Sequence, residues 1–177
     1  MNRKHRPNTK LTELATVLFI SVALAKAEEA PTAPKRIVIS LADRKLSLFG
    51  GTRLIKTFDV AVGKPSTPSP EGEFFVVRTI VNPAWYGPGR IVGPGKANPV
   101  GTRWIGLSKK GYGIHGTNEP SSIGKSASHG CIRMRNADVE ELFKLIDVGV
   151  KVELIADHAW WLEPAPETLL AAVGGGH

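Results

Sequence analysis

The sequence predicts a mostly β domain, an antiparallel β-sandwich or barrel-like sheet with one packed α-helix. Three observations carry this. The apolar residues between about 35 and 155 fall into short runs separated by Gly, Pro, Asn and Asp. The chain has 19 Gly and 13 Pro in 177 residues, above the usual 7% and 5% or so and without a triplet period. Only one stretch places apolar residues at helical spacing. At 42% hydrophobic and 22% charged, the composition is that of a globular domain, which excludes wholesale disorder and a polytopic membrane protein.

Residues 1–27 read as a secretory signal. Five basic side chains and one acid flank an apolar run of twelve residues, Leu14–Ala25, and Ala25-Lys26-Ala27 fits a small-x-small cleavage site. At about 1.5 Å rise per residue the run covers roughly 18 Å, short of a hydrocarbon core of ~30 Å. Cleavage after Ala27 is therefore expected, with an uncleaved anchor as the alternative; no cysteine sits nearby for a lipid anchor. Export would place the domain in the periplasm or cell wall. The leader also holds most of the formal +7 charge, leaving +3 over residues 28–177, so no nucleic-acid partner is expected.

Residues 28–35 form a Pro/Ala/Glu linker. Ile37–Leu41 and Lys45–Phe49 read as strands, and Gly50-Gly51 as a hairpin turn leading to a strand over Leu54–Val62. Lys64–Gly72 is a proline-punctuated loop, followed by a strand over Glu73–Val81. Asn82–Thr102 carries too many Pro and Gly for any regular element and reads as a long loop of the kind that covers a site. Short strands resume at Trp104–Leu107 and Gly113–His115. In the helix, Asn136 is the expected N-cap, acids follow in the first turns, and Val139, Leu142, Phe143 and Ile146 form the apolar stripe before Gly149. Val150–Ile155 alternates and closes the sheet. In the tail, residues 156–177, Trp160-Trp161 can dock on the domain and Glu167–Val173 can form a short helix.

Candidate chemistry concentrates between Ile114 and Met134, IHGTNEPSSIGKSASHGCIRM. It contains the sole cysteine, Cys131, and two histidines, His115 and His129. A single cysteine excludes an intrachain disulfide, and a lone thiol in an exported chain suggests a nucleophile over a buried hydrophobe. A thiol attacks as thiolate, and its ordinary pKa near 8.5 requires a neighbouring imidazole or cation. Separation along the chain favours neither histidine. Gly130 permits a turn whose Gly130 and Cys131 amides meet at an oxyanion site. Arg133 falls on the Cys131 side of an extended segment and suits a substrate carboxylate, or else an ion pair with Asp138 or Glu140. A metal site built from His115, His129 and His158 lacks ligand spacing, so no metal or cofactor is expected.

The run HGTNEPSSIGKSASHGCIRM resembles the signature of the L,D-transpeptidase catalytic domain, the YkuD-type family of bacterial cell-wall enzymes. A His-Gly is followed, after residues 116–127, by Ser128-His129-Gly130-Cys131-Ile132-Arg133. STPSPEGEFFV, NPAW and NPVGTRWIGL resemble family segments upstream, so the likeness spans about residues 36–155. It implies a β-sandwich-like catalytic domain with Cys131 as nucleophile and His115 as general base, oriented by the Gly116 carbonyl. His129 becomes a supporting group, and Ser128 and Gly130 shape the loop. The implied substrates are peptidoglycan stem peptides. Cys131 would attack at the L-centre of the third residue, release D-Ala, and pass the acyl group to an amine: another stem, giving a 3→3 crosslink, or an outer-membrane lipoprotein lysine. Trp85 and Tyr86 could line the substrate groove. Carbapenem-type β-lactams would be inhibitors. A carboxypeptidase or other cysteine hydrolase, and a non-catalytic wall-binding domain, are the competing expectations.

Overall fold

The computed structural model describes residues 33–159 and 161. The leader, most of the linker, Trp160 and the expected helix at Glu167–Val173 lie outside the described residues. Among the described residues, no helix is long and apolar enough to cross a membrane.

A curled eight-stranded sheet dominates. Its strands are β1 (Lys35–Ser40), β2 (Lys45–Gly50), β3 (Arg53–Asp59), β5 (Gly72–Val81), β8 (Arg103–Leu107), β9 (Gly113–His115), β11 (Ile132–Arg133) and β12 (Lys151–Ile155), in the order β11-β9-β8-β5-β12-β1-β2-β3. Two small sheets accompany it. One pairs β4 (Val62–Gly63) with β10 (Ser126–Ser128), and the other pairs β6 (Trp85–Gly87) with β7 (Arg90–Val92). The single helix, α1, spans Asn136–Leu145.

The mostly antiparallel expectation holds, and the first three strands form the expected meander. Three parallel pairs enter, however: β1 with β12, β9 with β11, and β4 with β10. β12 does not close the sheet at an edge. It lies at the centre, parallel to β1 and antiparallel to β5. The strand expected over Leu54–Val62 breaks at Asp59, and Val62 pairs instead with Ser126.

Asn82–Thr102 does contain regular structure, the β6–β7 hairpin. Gly89 turns it at φ +73°, and the Trp85 ring covers Gly87, where a Cβ would lie 1.9 Å from the indole. The abundant glycine supplies turn and contact here and does not dissolve the element.

The core lies between the sheet and α1. Ile37, Leu48, Ile105, Ile114, Val152 and the Val139 and Leu142 stripe of α1 are all fully buried. Asn136 is the first helical residue and not the cap. Arg135 holds the N-cap position without a side-chain hydrogen bond. The helix ends at Leu145, before Gly149, and Lys35 Nζ donates to the Leu145 carbonyl at 2.6 Å, satisfying one of its open acceptors. Trp161 docks on β2: its Nε1 donates to Ser47 Oγ at 3.1 Å and its ring meets Phe49 edge-on.

Candidate active site

Strand pairing builds the site by setting which side chains share a face. Along β8 and β9, Ile105, Leu107 and Ile114 enter the core, so Trp104, Gly106, Gly113 and His115 face the other way. Ile132 of β11 pairs with Ile114 and is buried, while Arg133 pairs with His115. Cys131 lies two residues before Arg133, beside Gly113, and its half-buried thiol donates to the Gly111 carbonyl at 3.6 Å. Cys131, His115 and Arg133 thus line one open pocket of about 610 Å³.

The floor of that pocket is a tryptophan laid over two glycines. Trp104 pairs with His115, and Gly106 with Gly113. A Cβ on Gly113 would sit 2.6 Å from the Trp104 ring, and one on Gly106 3.0 Å from its Nε1. Only hydrogen at both positions lets the indole lie flat. Local sequence reading missed this group, although two residues on the same face in each strand, Trp104-x-Gly106 and Gly113-x-His115, carry its signal.

His115 is 5% exposed, and its Nδ1 is 2.6 Å from the Gly116 carbonyl. The carbonyl can only accept, so Nδ1 carries the proton and Nε2 is left as the basic nitrogen. Burial, reinforced by the Arg133 charge and partly opposed by the Gly116 carbonyl, brings the imidazole pKa down to about 4. Burial also pushes the Cys131 thiol above its ordinary value, against the Gly113 backbone and Arg133, which favour the thiolate. At neutral pH both groups are therefore uncharged at rest.

Asn136 positions this strand end. Its Oδ1 accepts from the Thr102 N–H at 3.3 Å and the Thr117 N–H at 3.1 Å. It occupies the space that a Cβ on Gly101 or Gly116 would need, 2.1 Å away in each case. The side chain expected to cap α1 instead ties two loops together beside His115.

The loop before Cys131 is clasped by Ser128. Its buried Oγ accepts from the Gly130 N–H at 3.0 Å and donates to the Cys131 carbonyl at 2.5 Å. This corrects the expected oxyanion pair, because the Gly130 amide is committed to Ser128 and only the Cys131 amide remains of the two. Gly130 adopts φ +108°, and a Cβ there would meet the Tyr112 ring at 2.9 Å.

The other expected residues sit as follows. His129 is exposed and lines the pocket. Trp85 and Tyr86 line it too, with Tyr86 75% exposed. Arg133 pairs with Glu119 at 3.0 Å, not with Asp138 or Glu140. His158 lies against Asp43, Nδ1 to Oδ1 2.6 Å. Among the described residues no three His, Cys, Asp or Glu side chains are grouped to hold a metal ion.

Fold and site together define a mostly β domain with a cysteine and a buried histidine facing one cleft. The chain belongs to the YkuD family, the L,D-transpeptidase catalytic domain, whose model matches residues 34–154. YkuD of Bacillus licheniformis, assigned as an L,D-transpeptidase, is 46% identical over 123 residues, covering 70% of this chain and 67% of that protein. The solved catalytic domain of the Enterococcus faecium L,D-transpeptidase superposes with a TM-score of 0.57 at 26% identity, covering 71% of this chain and 97% of that one. The avibactam carbamoyl enzyme Ldtfm gives 0.59 at 25% identity, with 70% of this chain covering 49% of it. Against that longer structure the chain spans about half the length.

Proposed function

We propose that the chain is an exported peptidoglycan L,D-transpeptidase with Cys131 as nucleophile and His115 as general base. One observation carries the reading: a half-buried thiol and a neutral imidazole, its Nδ1 anchored on Gly116, share one face and one pocket.

The donor is a stem tetrapeptide. As Sγ bonds to the carbonyl carbon at the L-centre of the third residue, Nε2 of His115 takes the thiol proton. The Cys131 amide is the candidate donor to the resulting oxyanion. The intermediate collapses by breaking the C–N bond to D-Ala, and the imidazolium returns its proton to the departing amine. A thioester on Cys131 remains. An acceptor amine then attacks it, His115 takes a proton from that amine, and the thiol is regenerated on release of the new amide. The acceptor is a second stem or a lipoprotein lysine. The same thiol would be acylated by carbapenem-type β-lactams. The basic and apolar leader supports a periplasmic or wall location.

The test is intact-mass analysis of wild type and Cys131→Ala after exposure to a tetrapeptide muropeptide. An adduct equal to the donor less D-Ala, on wild type alone, is expected. A folded wild type that gains no adduct, as a wall-binding module would behave, overturns the reading. Free tripeptide without crosslinked dimer, when amine acceptor is supplied, makes it a hydrolase.

A further inference from the structure

The pocket contains a second group that the acyl-transfer step does not use. Strand β5 is irregular between Val76 and Arg78: Val76 pairs with Leu107, and Arg78 with Gly106. Leu107 faces the core and Gly106 the pocket, so the extra residue, Val77, turns Arg78 out of the core side and onto the pocket wall. There Arg78 lies across Gly106. The point where a Gly106 Cβ would stand is 2.9 Å from Arg78 Cγ, 3.2 Å from Arg78 Nε and 3.0 Å from Trp104 Nε1.

Among the described residues neither nitrogen group has an acceptor. Among the described residues no carboxylate pairs with Arg78, whereas Arg133 and Arg103 each have one. The Trp104 indole N–H is buried and without a hydrogen-bond partner. A buried donor left open costs about 1–3 kcal/mol, and here it lies beside the side chain of Arg78, an exposed residue. Glycine at 106 leaves room where the two meet.

We propose that Arg78 and the Trp104 indole N–H form a carboxylate subsite that selects the acyl donor. This rests on the transpeptidase reading above. Strand geometry sets the reach. At about 4.8 Å per strand, β5 lies roughly 14 Å from β11, and the arginine spans the first step. That leaves roughly 9–10 Å from guanidinium to thiol. From the carbonyl carbon that Cys131 attacks, six carbon–carbon bonds lead to a carboxylate borne on a side chain of four carbons, roughly 7–8 Å when extended, and a hydrogen bond adds about 3 Å. The subsite therefore reads a carboxylate at the far end of the third residue's side chain. A guanidinium binds it in bidentate fashion, and a rotamer change exposes the indole N–H as a further donor.

The test uses three tetrapeptide donors that differ only at the third residue: meso-diaminopimelate with its side-chain carboxylate free, the same residue with that carboxylate amidated, and lysine. D-Ala release gives kcat/KM for each with wild type, Arg78→Gln and Arg78→Lys. Wild type is expected to prefer the free carboxylate by about tenfold or more. In Arg78→Gln the ratio of free to amidated donor falls to near one, and Arg78→Lys restores part of it. General damage to the fold would lower all three donors together and leave the ratio intact, which overturns the subsite. So does a wild type that releases D-Ala equally from all three. Release from none of them overturns the transpeptidase reading itself.

Discussion

The imidazole of His115 lies almost parallel to the Trp104 indole, with ring centroids 5.4 Å apart and planes inclined by 14°. One face of the base is turned to the indole, and it is the burial of the ring that disfavours a charged imidazolium there.

The acid limb of activity follows from this. His115 has a folded pKa of about 4 against an ordinary value of 6.5. The acylation rate, followed by intact mass with a β-lactam, is expected to fall to half near pH 4. Stability follows the same group. Between pH 6.5 and about 4 the unfolded chain binds a proton that the folded one does not. Stability is fully present above 6.5 and declines as pH falls through this window, by about 3 kcal/mol in all. An activity midpoint near 6.5 would exclude the buried neutral base.

Removing the Arg133 charge should shift both groups. Arg133 lowers the pKa of His115 and of Cys131, so Arg133→Gln is expected to raise both. The acid limb then moves to higher pH, and thiol titration by iodoacetamide moves up as well. An unchanged profile would mean that Glu119, 3.0 Å from Arg133, already cancels its field.

Asn136→Ala leaves the Thr102 and Thr117 amides without their acceptor. The expected cost is about 2–3 kcal/mol, seen as a lower Tm together with slower acylation, because Thr117 follows Gly116, which holds the base. Asn136→Asp keeps the acceptor oxygen and should recover most of the Tm. If alanine and aspartate behave alike, the bridge does not hold the two loops.

Gly113→Ala places a methyl group 2.6 Å from the Trp104 ring and 2.8 Å from the Ile105 carbonyl. The ring can tilt, but the backbone carbonyl cannot withdraw cheaply. A loss of about 1–3 kcal/mol is expected, with a changed near-UV circular dichroism spectrum from the displaced indole. A wild-type Tm and spectrum would refute the packing described.

The strands were legible because period-two alternation and turn residues are local signals. Gly113–His115 emerges with the expected bounds for that reason. Strand order is not local. Nothing in Val150–Ile155 says that its neighbours are β1 and β5, nor does GEFFVVRTIV announce the irregularity that turns Arg78 to the pocket. Asn136 misled because a residue that favours N-caps serves equally well as a distant acceptor. The choice between His115 and His129 was equally closed to spacing: one is buried with Nδ1 anchored, the other exposed, and only strand pairing separates them. Gly130 adopts its turn, while the Ser128 hydroxyl, which the resemblance placed in the same loop, takes its amide, a partner that spacing alone does not give.

The placement of β12 imposes an order on assembly. Among the described residues it is the one strand of the eight-stranded sheet that joins the meander β1–β3 to the half that carries Arg78, His115 and Arg133. Until residues 151–155 emerge and insert, the two halves meet through the Ala61–Arg133 bridge and the short β4–β10 pair but lack their central ladder, and α1 has an incomplete surface to cover. Pairing across more than a hundred residues, Arg36 with Lys151, also makes folding slow by contact order. A nascent or C-terminally clipped chain would hold every reactive group yet lack the frame that aligns them, so competence arrives with the last strand.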